Sequence, residues 1–516
     1  MKPIRLISGF FTVGVWTLAS RVLGFVRDAM ILAFLGTGPL YEAYVVAFRL
    51  PNMFRRFFAE GAFNTAFVPM FSKKLENDSD ARAFAEDAFA GLAAVLIVLT
   101  LIAMAAMPWL IYALASGFEG QEQFGLSVEF GRIAFPYILF ISLAALLSGV
   151  LNALGRFAAA AAAPVLLNVL LVAAMAVAAW MGGDVARALM WMIPVAGVAQ
   201  LALVWIAAKR ARFALRLRRP RLTPEVKRLI KIAVPAALAG GVVQINLLVG
   251  QQVASYFDRA VGWLYAADRL YQLPLGVVGI AIGIVLLPDL SRRLEAGDTE
   301  GGRAALSRAA EISLALTIPA SVALIVIPLE LVSVLFERGQ TTGDDSAAIA
   351  AAVTIYGLGL PAFVIQKFLQ PVFFARHDTR RPFQYAVVAM VVNAVLAVGL
   401  AVWMGPLIGW LGAAIATTAA AWVMVALLGC GARRYGEVVK FDTRFHRRIW
   451  RVIIASTLMG VVLWAAKLGL LEMFGLPGLR YAALAFLIAA GIASYAVIGH
   501  LIGAFKLSDL KSSLRR

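Results

Sequence analysis

The chain has 516 residues, of which 62% are hydrophobic and 15% are charged, and its mean hydropathy is +0.86. A soluble domain cannot bury that much apolar surface, so the composition indicates a protein that crosses a membrane many times. The formal net charge is +18, but the basic residues lie between apolar runs. This distribution argues against a nucleic-acid-binding domain and makes the charge a guide to membrane topology.

Cysteine and histidine are too few and too scattered for most catalytic or metal chemistry. Cys430 is the single cysteine, which excludes a disulfide framework and a cysteine-based metal site. His377, His446 and His500 lie far apart in the sequence and have no HExxH spacing. We therefore expect no metal, no cofactor and no enzyme active site.

Apolar stretches long enough to cross a bilayer, which takes about 20 residues, follow one another along the whole chain. The first begins after Lys2 and Arg5 as a signal peptide would. It continues through Arg21 and Arg27 without a convincing cleavage site, so we predict that it is retained as a span. About fourteen helices are predicted, at 7–35, 41–71, 83–115, 127–153, 161–181, 186–208, 226–257, 261–288, 304–326, 346–375, 383–404, 408–431, 447–470 and 480–504.

Lys and Arg residues alternate between successive loops. One set of loops is rich in them, for example at Lys73 with Lys74 and at Arg376 to Arg381. The loops between them are poor in Lys and Arg or are acidic, as at Ser116 to Leu126. Because Lys and Arg stay on the cytoplasmic side, this alternation predicts that both termini are cytoplasmic.

Two pairs of spans repeat at an offset of nearly 220 residues. The second and eighth spans end on PMFSKKL and PDLSRRL, and an Arg-Leu pair precedes each ending by about twenty residues (Arg49-Leu50 and Arg269-Leu270). Pro136, Arg156 and Asn168 have nearly the same spacing as Pro361, Arg381 and Asn393. Such parallel repeats are typical of transporters, in which the substrate site lies between the two halves.

This duplication predicts four regions. They are a six-helix lobe at 1–209, a basic amphipathic cytoplasmic linker at 210–225, a second six-helix lobe at 226–432 and two extra helices at 433–516. We expect the run from Arg210 to Lys231 to lie along the membrane surface and to bind anionic lipid.

Charged side chains lie inside the second predicted span. At 100° per residue, Glu42, Arg49, Arg56 and Glu60 fall on one stripe about 27 Å long, which is comparable with the thickness of the hydrocarbon layer. Arg56 and Glu60 are four residues apart and are placed to pair. A proline in this span is expected to kink the helix, which would bring Arg55 to the same side.

The first and eighth spans carry charges as well. In the first, Ser20 shares a helix face with Arg27, and Arg21 shares one with Asp28. In the eighth, Asp268 and Arg269 supply the matching charges, and Lys367 in the tenth span is either a cavity residue or a lysine that reaches the headgroups.

Two interpretations fit these charges. In the first, which suits Arg27, Arg55 and Arg56 best because they lie near helix ends, the side chains form structural ion pairs or reach the headgroups. In the second, which the other arginines favour, the surplus of positive charge binds an anionic guest. The planar fork of Arg matches phosphate and pyrophosphate oxygens.

Four motifs together resemble the MurJ/MviN lipid II flippase family, which belongs to the multidrug/oligosaccharidyl-lipid/polysaccharide exporter superfamily. They are SRVLGFVRD at 20–28, AFRLPN at 47–52, RRFFAEGAF at 55–63 and ADRL at 267–270. The resemblance covers essentially the whole chain, including the two C-terminal helices. It implies a flippase of the bacterial inner membrane that moves lipid II, the undecaprenyl-pyrophosphate-linked peptidoglycan precursor, to the periplasmic leaflet by alternating access.

The resemblance also implies site residues and partners. Residues needed for flipping in the family match Arg21, Arg27, Arg55, Glu60 and Arg269 here, and the charge argument adds Arg49. Membrane lipids and lipid II are the expected partners, with no nucleic acid, and we expect a monomer.

Two departures from the family bear on these expectations. Glu42 stands where the family commonly has Asp, and Asn246 and Asn393 stand in spans where some members carry sodium-binding acidic residues. Three alternative functions are open. A cation-coupled exporter of drugs or other polysaccharide lipids would need acidic coupling sites. In a membrane scaffold the arginines would pair fully, and a membrane glycosyltransferase would need an Asp cluster in a loop.

Overall fold

A computed structural model describes residues 6–55, 62–77, 80–216, 218–281, 292–293, 296–376, 378–476 and 478–505, with the side chains of 6–12, 62–65, 235–247, 277–281 and 437–438 left out. The described residues form helices joined by short connections, with no strand among them. The predicted all-α class is therefore confirmed.

Eleven helices occur among the described residues up to 281. They are α1 (Leu6–Leu35), α2 (Pro39–Arg55), α3 (Ala62–Glu76), α4 (Ala81–Ala105), α5 (Met107–Leu114), α6 (Glu122–Ala134), α7 (Tyr137–Ala153), α8 (Ala158–Trp180), α9 (Val185–Arg210), α10 (Pro224–Ala254) and α11 (Ala260–Ala281). A short 3-10 turn at Ser116–Phe118 joins α5 to α6.

Eight further helices follow the described residues 292–293. They are α12 (Thr299–Val326), α13 (Pro328–Phe336), α14 (Gly343–Phe374), α15 (Arg380–Ile408), α16 (Leu411–Ala432), α17 (Thr443–Gly469), α18 (Leu471–Phe474) and α19 (Leu479–Leu501). A 3-10 segment at Arg433–Val439 connects α16 to α17.

Ten helices in the described part of the chain are long and apolar enough to cross a membrane, with α6 and α7 counted as one. They coincide with ten of the fourteen predicted spans. The other four predicted spans fall on α1, on α2 with α3, on α10 and on α11, and for these the crossing stays a prediction. The parts of the predicted spans at 56–61 and 282–288 lie outside the described residues.

Capping side chains set the start of several helices. The Thr342 hydroxyl accepts the N–H of Asp345, and the Asp345 carboxylate accepts the N–H of Thr342, which together form a capping box at the start of α14. The carboxylate of Asp298 caps α12 by accepting the N–H of Gly301, and the carboxylate of Asp442 caps α17 by accepting the N–H of Phe445. These caps explain why the helices begin three to five residues before the predicted spans.

Prolines mark the breaks that the prediction missed. The predicted span 83–115 is interrupted at Ala106, just before Pro108, and the span 127–153 is interrupted next to Pro136. Proline is favoured in the first turn of a helix, because the N–H groups there have no partner within the helix and the loss of one breaks no hydrogen bond. For the same reason α13 begins at Pro328, in a stretch for which no helix was predicted.

The contacts divide the chain into two compact units. The first contains Met1–Gly262 together with Arg338–Thr341, and the second contains Trp263–Glu337 and Thr342–Arg516. Compactness and duplication are different criteria, so the predicted boundary between repeats at 226 stays a prediction. In the first unit α10 packs on α3 and α4, which belong to the first predicted lobe.

The second unit is built around α12, which packs on both α14 and α17. Buried residues from these helices and from α16, such as Leu306, Phe368 and Leu428, form its main core. A smaller core joins α17 to α19. Lys467 on α17 pairs with buried Glu330 on α13 (Nζ to Oε1, 3.1 Å), so an ion pair also ties the last helices to this unit.

The linker after α9 is non-helical and is attached to the first unit. Phe213 and Leu215 are buried, whereas Arg212 and Arg216 are exposed, so inward and outward residues alternate as in an extended strand. Buried Glu86 on α4 accepts the N–H of Arg216 at 2.9 Å and pairs with a second linker arginine, Arg218, at 2.7 Å. This attachment uses the side chain of one arginine, Arg218, that the sequence assigned to the membrane surface.

A polar network joins the 3-10 turn after α5 to the end of α10 within the first unit. The N–H of Ser116 donates to Gln252 Oε1 (3.1 Å), and the N–H of Gly117 donates to Ser255 Oγ (3.0 Å). The Ser116 hydroxyl also bonds to the Tyr256 hydroxyl (2.8 Å). A Cβ at Gly117 would lie 2.4 Å from the Ser255 carbonyl oxygen, so the turn approaches α10 too closely for any side chain.

Gly117→Ala tests this contact. The obstacle is backbone and cannot rotate away, so we expect the substitution to destabilise the protein by about 1–3 kcal/mol, as overpacking does. Gly125→Ala, in α6, is the matched control because its Cβ would meet nothing within 4 Å. It should leave stability unchanged or raise it by up to about 1 kcal/mol through helix propensity. Thermal unfolding of the detergent-purified protein measures both, and equal midpoints would contradict the close approach.

Candidate functional site

A polar clamp in the first unit joins α1 to α8. Arg27 and Asp28 are buried, and Nε and Nη2 of Arg27 donate to Asp28 Oδ1 at 3.0 and 2.7 Å. Arg27 Nη1 donates to Oδ1 of Asn168 at 2.9 Å, and Nδ2 of Asn168 donates to the Ser20 carbonyl oxygen at 3.0 Å. The prediction that Ser20 and Arg27 share a helix face is therefore confirmed. We call Ser20, Arg27, Asp28 and Asn168 the α1–α8 clamp.

Gly24 of α1 faces the clamp. A Cβ at Gly24 would lie 3.5 Å from Asn168 Nδ2, an ordinary van der Waals distance, so the amide of α8 lies close to this turn of α1. The contacts give Arg27 a structural role, as the first of the two interpretations expects. They do not test its predicted role in substrate binding, which stays a prediction.

Arg21 differs from Arg27 although it lies less than two turns away on the same helix. Its side chain is exposed, and it has no hydrogen-bond or ion-pair partner among the residues that the structure describes. In the interior of an apolar helix, such a guanidinium favours a position that faces water or a polar guest. Arg21 is thus the predicted site residue whose environment best suits the second interpretation.

The described charges of α2 lie in different environments. Glu42 is fully buried, accepts the N–H of Val261 at 3.1 Å and lies 3.5 Å from the Gln123 amide, so no arginine is among its described partners. Arg49 and Arg55 are both partly buried on the same helix. Glu42 therefore holds the start of α11, where it satisfies an N–H that a helix end leaves open.

Two predicted site residues, Arg56 and Glu60, lie outside the described residues. Their stripe with Glu42 and Arg49, and the ion pair predicted between them, stay predictions.

In the second unit, Arg269 is supported by aromatic and polar neighbours on its own helix. Its guanidinium carbon lies 4.3 Å from the ring centroid of Tyr265, a distance suited to a cation–π contact. The preceding residue, Asp268, accepts a hydrogen bond from Gln272, one turn further along α11. The two predicted charges of this span therefore contact different side chains of α11.

Aromatic packing fixes this part of α11 against α14. The ring of Tyr271 lies 5.1 Å from that of Tyr356 and 5.5 Å from that of Phe363. Lys367 is exposed one turn beyond Phe363 on α14. Its predicted alternatives, a cavity residue or a lysine that reaches the headgroups, stay open.

The described helices α1 and α2 carry more positive than negative charge. Their arginines are Arg21, Arg27, Arg49 and Arg55, and their carboxylates are Asp28 and Glu42. Asp28 pairs with Arg27, and Glu42 binds a backbone N–H and an amide instead of an arginine. The surplus of positive charge on these two helices would attract an anionic ligand.

Sequence reasoning named Asn168 only as a marker of the repeat and missed its contact with Arg27. A lone asparagine in an apolar helix was a usable signal, because a buried amide needs partners. Asn393, the residue at the corresponding place in the repeat, is buried as well. No group of three or more His, Cys, Asp or Glu side chains that could hold a metal occurs among the described residues.

Comparison with known proteins identifies the family. A family model described as lipid II flippase MurJ matches residues 31–478. The chain belongs to the MurJ lipid II flippase family. Together with the ten candidate spans, this membership makes it a multi-pass protein of the inner membrane.

A curated MurJ relative from Rhizobium meliloti (strain 1021), named a probable lipid II flippase MurJ, is 44% identical over 99% of this chain and 97% of its own length. A solved MurJ structure in an inward closed conformation aligns with a TM-score of 0.78 and 22% identity over 95% of this chain and 98% of its own. An inward-facing MATE family multidrug transporter aligns with a TM-score of 0.69 and 14% identity over 81% of this chain and 95% of its own. These two structural matches show a shared fold.

Asn168→Ala tests the α1–α8 clamp. The substitution removes the acceptor of a buried guanidinium N–H, so we expect a loss of about 1–3 kcal/mol in stability. Asn152→Ala, at the exposed end of α7, is the matched control and should change stability by less than about 0.5 kcal/mol. Thermal unfolding in detergent measures both. A clamp without energetic weight would give the two variants the same midpoint.

Proposed function

We propose that this protein is a lipid II flippase that moves the undecaprenyl-pyrophosphate-linked disaccharide-peptide from the cytoplasmic to the periplasmic leaflet by alternating access. Membership of the MurJ family supports this proposal. The observation that carries it is the positive surplus on α1 and α2, in which Arg21 is exposed and has no partner among the described residues.

The argument for an anionic guest is energetic. A charged side chain in the middle of a bilayer costs at least about 2.5–3.5 kcal/mol on insertion scales, so an arginine is kept there only if something offsets that cost. Asp28 does so for Arg27. For Arg21 we propose that the pyrophosphate of the substrate does so, because its oxygens match the planar guanidinium fork.

The proposed site consists of residues that contact the substrate and residues that support them. Arg21, Arg49, Arg55 and Arg269 contact the pyrophosphate, together with Glu60, which in this proposal orients one of the arginines. Arg27 contributes charge while the α1–α8 clamp holds it in place. Supporting charges come from Asp28, Glu42, Arg56, Asp268 and Lys367.

The proposed cycle contains no covalent step, so we propose a transporter and not an enzyme. The anionic head neutralises the arginines when it binds, which removes their mutual repulsion and permits the conformational change. An inside-negative potential favours the export of an anion by about 2.3 kcal/mol per charge per 100 mV. Membrane potential is therefore the proposed driving force.

The proposed arrangement places both termini in the cytoplasm, because the Lys and Arg residues concentrate in the corresponding loops. We further propose that the chain is a monomer of two repeats, 1–209 and 226–432, joined by the linker 210–225 and followed by 433–516. Lipid II and membrane lipids are its proposed partners, and nucleic acid is not.

Arg269→Ala is the central test. A hydrogen bond to a charged group is worth about 1.5–3 kcal/mol, so its loss should lower flipping at least tenfold while the protein level in the membrane stays normal. The assay depletes the native protein in cells, supplies the variant and measures which leaflet holds the lipid-linked precursor. Retention of flipping by Arg269→Ala would refute its role.

Arg187→Ala is the matched control for that test. Arg187 lies in the first turn of α9, is exposed, and pairs with Glu129 at 3.1 Å and with Asp184 at 3.6 Å. Its removal should leave flipping within about twofold of the unaltered protein, since an exposed ion pair contributes at most about 1 kcal/mol.

The same cells distinguish the alternative, a cation-coupled exporter of drugs or other polysaccharide lipids. A lipid II flippase leaves the precursor in the cytoplasmic leaflet when it is depleted. A drug exporter would instead leave the precursor distribution unchanged and make the cells sensitive to cationic drugs.

A further inference from the structure

A cluster of arginines around Tyr435 lies outside the proposed substrate site. It consists of Arg376 from the end of α14, Asp378 and Arg381 from the start of α15, and Arg434 with Tyr435 from the segment after α16. All five belong to the second unit. We call these residues the Tyr435 cluster.

Tyr435 is the fixed centre of this cluster. Its hydroxyl donates to Asp378 Oδ2 at 2.9 Å, and its ring packs edge-on against buried Phe373, with 5.4 Å between the ring centroids. The guanidinium carbons of Arg376 and Arg434 lie 4.4 and 5.1 Å from the Tyr435 ring centroid. Cation–π contacts thus hold two guanidinium groups against one preorganised ring.

The carboxylate of Asp378 is already fully engaged. Its Oδ2 accepts from Arg381 Nη1 at 3.0 Å and from Arg434 Nη2 at 3.3 Å, in addition to the Tyr435 hydroxyl. Three donors on one oxygen leave no room there for a fourth. Asp378 is therefore a neutralising partner for Arg381 and Arg434 and not for Arg376.

Arg376 is the group that the cluster leaves unsatisfied. Its Nη1 is buried from solvent and has no hydrogen-bond partner among the described residues. An unmade hydrogen bond on a buried donor costs about 1–3 kcal/mol, and more on a charged group. A ligand that offers anionic oxygens would remove that cost.

The charge around the cluster points the same way. Arg380 and Arg433 are exposed at its edge, which brings the arginines of these two connections to five against the carboxylates of Asp378 and Asp442 among the described side chains. A guanidinium binds phosphate through two parallel hydrogen bonds, so a group of arginines with few carboxylates suits a phosphate ligand.

Apolar side chains beside the cluster indicate which molecule carries the phosphate. Phe374 is 48% exposed and Phe383 is 43% exposed, and each lies two residues from an arginine of the cluster. A free phosphate ion would not pack against the exposed aromatic rings. A phospholipid would, because it carries apolar acyl chains as well as a phosphate. Basic residues near a membrane surface attract anionic lipid by about 1 kcal/mol each.

We propose that the Tyr435 cluster is a binding site for the phosphate of an anionic membrane phospholipid, with Arg376 as its main contact and Tyr435 as the platform that positions it. The bound headgroup joins the connection between α14 and α15 to the connection between α16 and α17. This site is independent of the proposed transport route, so either can fail without the other.

The test measures binding of phosphatidylglycerol to the full-length purified protein in detergent, with phosphatidylcholine as the zwitterionic comparison. We expect Arg376→Gln to weaken phosphatidylglycerol binding about tenfold, the effect of losing one charge-assisted contact. Arg187→Gln is the matched control, because Arg187 is exposed at the start of α9, outside the run predicted to bind anionic lipid, and its loss changes the net charge equally. It should weaken binding less than about twofold.

Asp378→Asn guards against a trivial loss of folding. The substitution frees Arg381 and Arg434 from their carboxylate, so phosphatidylglycerol should bind more tightly, a gain that a misfolded protein could not show. Equal affinity of the Arg376→Gln and Arg187→Gln variants, or equal binding of phosphatidylcholine and phosphatidylglycerol, would overturn the proposal.

A competition with inorganic phosphate separates the two sources of the ligand. If millimolar phosphate leaves phosphatidylglycerol bound, the lipid is supported as the occupant. If phosphate displaces the lipid, and itself binds in a manner that depends on Arg376, the lipid is overturned as the occupant and the site belongs to a free phosphate.

Discussion

An ionised or polar side chain within hydrocarbon must find a partner, and this constraint organises the structure. Water is absent from the interior of a bilayer, so each unmet group costs several kcal/mol. The described helices meet the constraint with single polar residues that reach a neighbouring helix. Examples are Gln200 of α9 on the Ala163 carbonyl oxygen of α8 and Thr418 of α16 on the Ile355 carbonyl oxygen of α14. Such contacts fix which faces of the helices meet, since apolar packing alone leaves the rotation free.

The same constraint separates two kinds of arginine. Arg27 has an adjacent carboxylate and an amide from α8, so the protein itself offsets the cost of its charge. Arg21 has no such partner among the described residues. A loss of function would therefore be interpreted differently for substitutions of Arg27 and of Arg21. A defect at Arg27 combines helix packing with any role in binding, whereas a defect at Arg21 reports more directly on what the helix meets outside itself.

The helices could be predicted from the sequence because long apolar runs and their caps are local signals. The breaks near Pro108 and Pro136 were also signalled locally, and only the assumption of one continuous helix per span hid them. The contact of Thr341 Oγ1 with the Leu32 carbonyl oxygen joins residues more than three hundred positions apart. No periodicity or motif predicts such a contact. The site shows the same division, since its charged residues could be named from their cost, but the asparagine that holds one of them could not.

The inclusion of Arg338–Thr341 in the first unit has a consequence for how the chain is made. This segment donates to the end of α1, from the N–H of Gln340 to the Ala33 carbonyl oxygen at 3.0 Å, and Gly339 lies so close to Ala33 that only glycine fits. During synthesis, the amino-terminal helices emerge from the ribosome long before the residues that complete their packing. Until those residues arrive, the end of α1 stays uncovered in the nascent chain. A truncated polypeptide that stops before residue 338 would therefore be a poor substitute for the isolated first unit, even though it contains all of its helices.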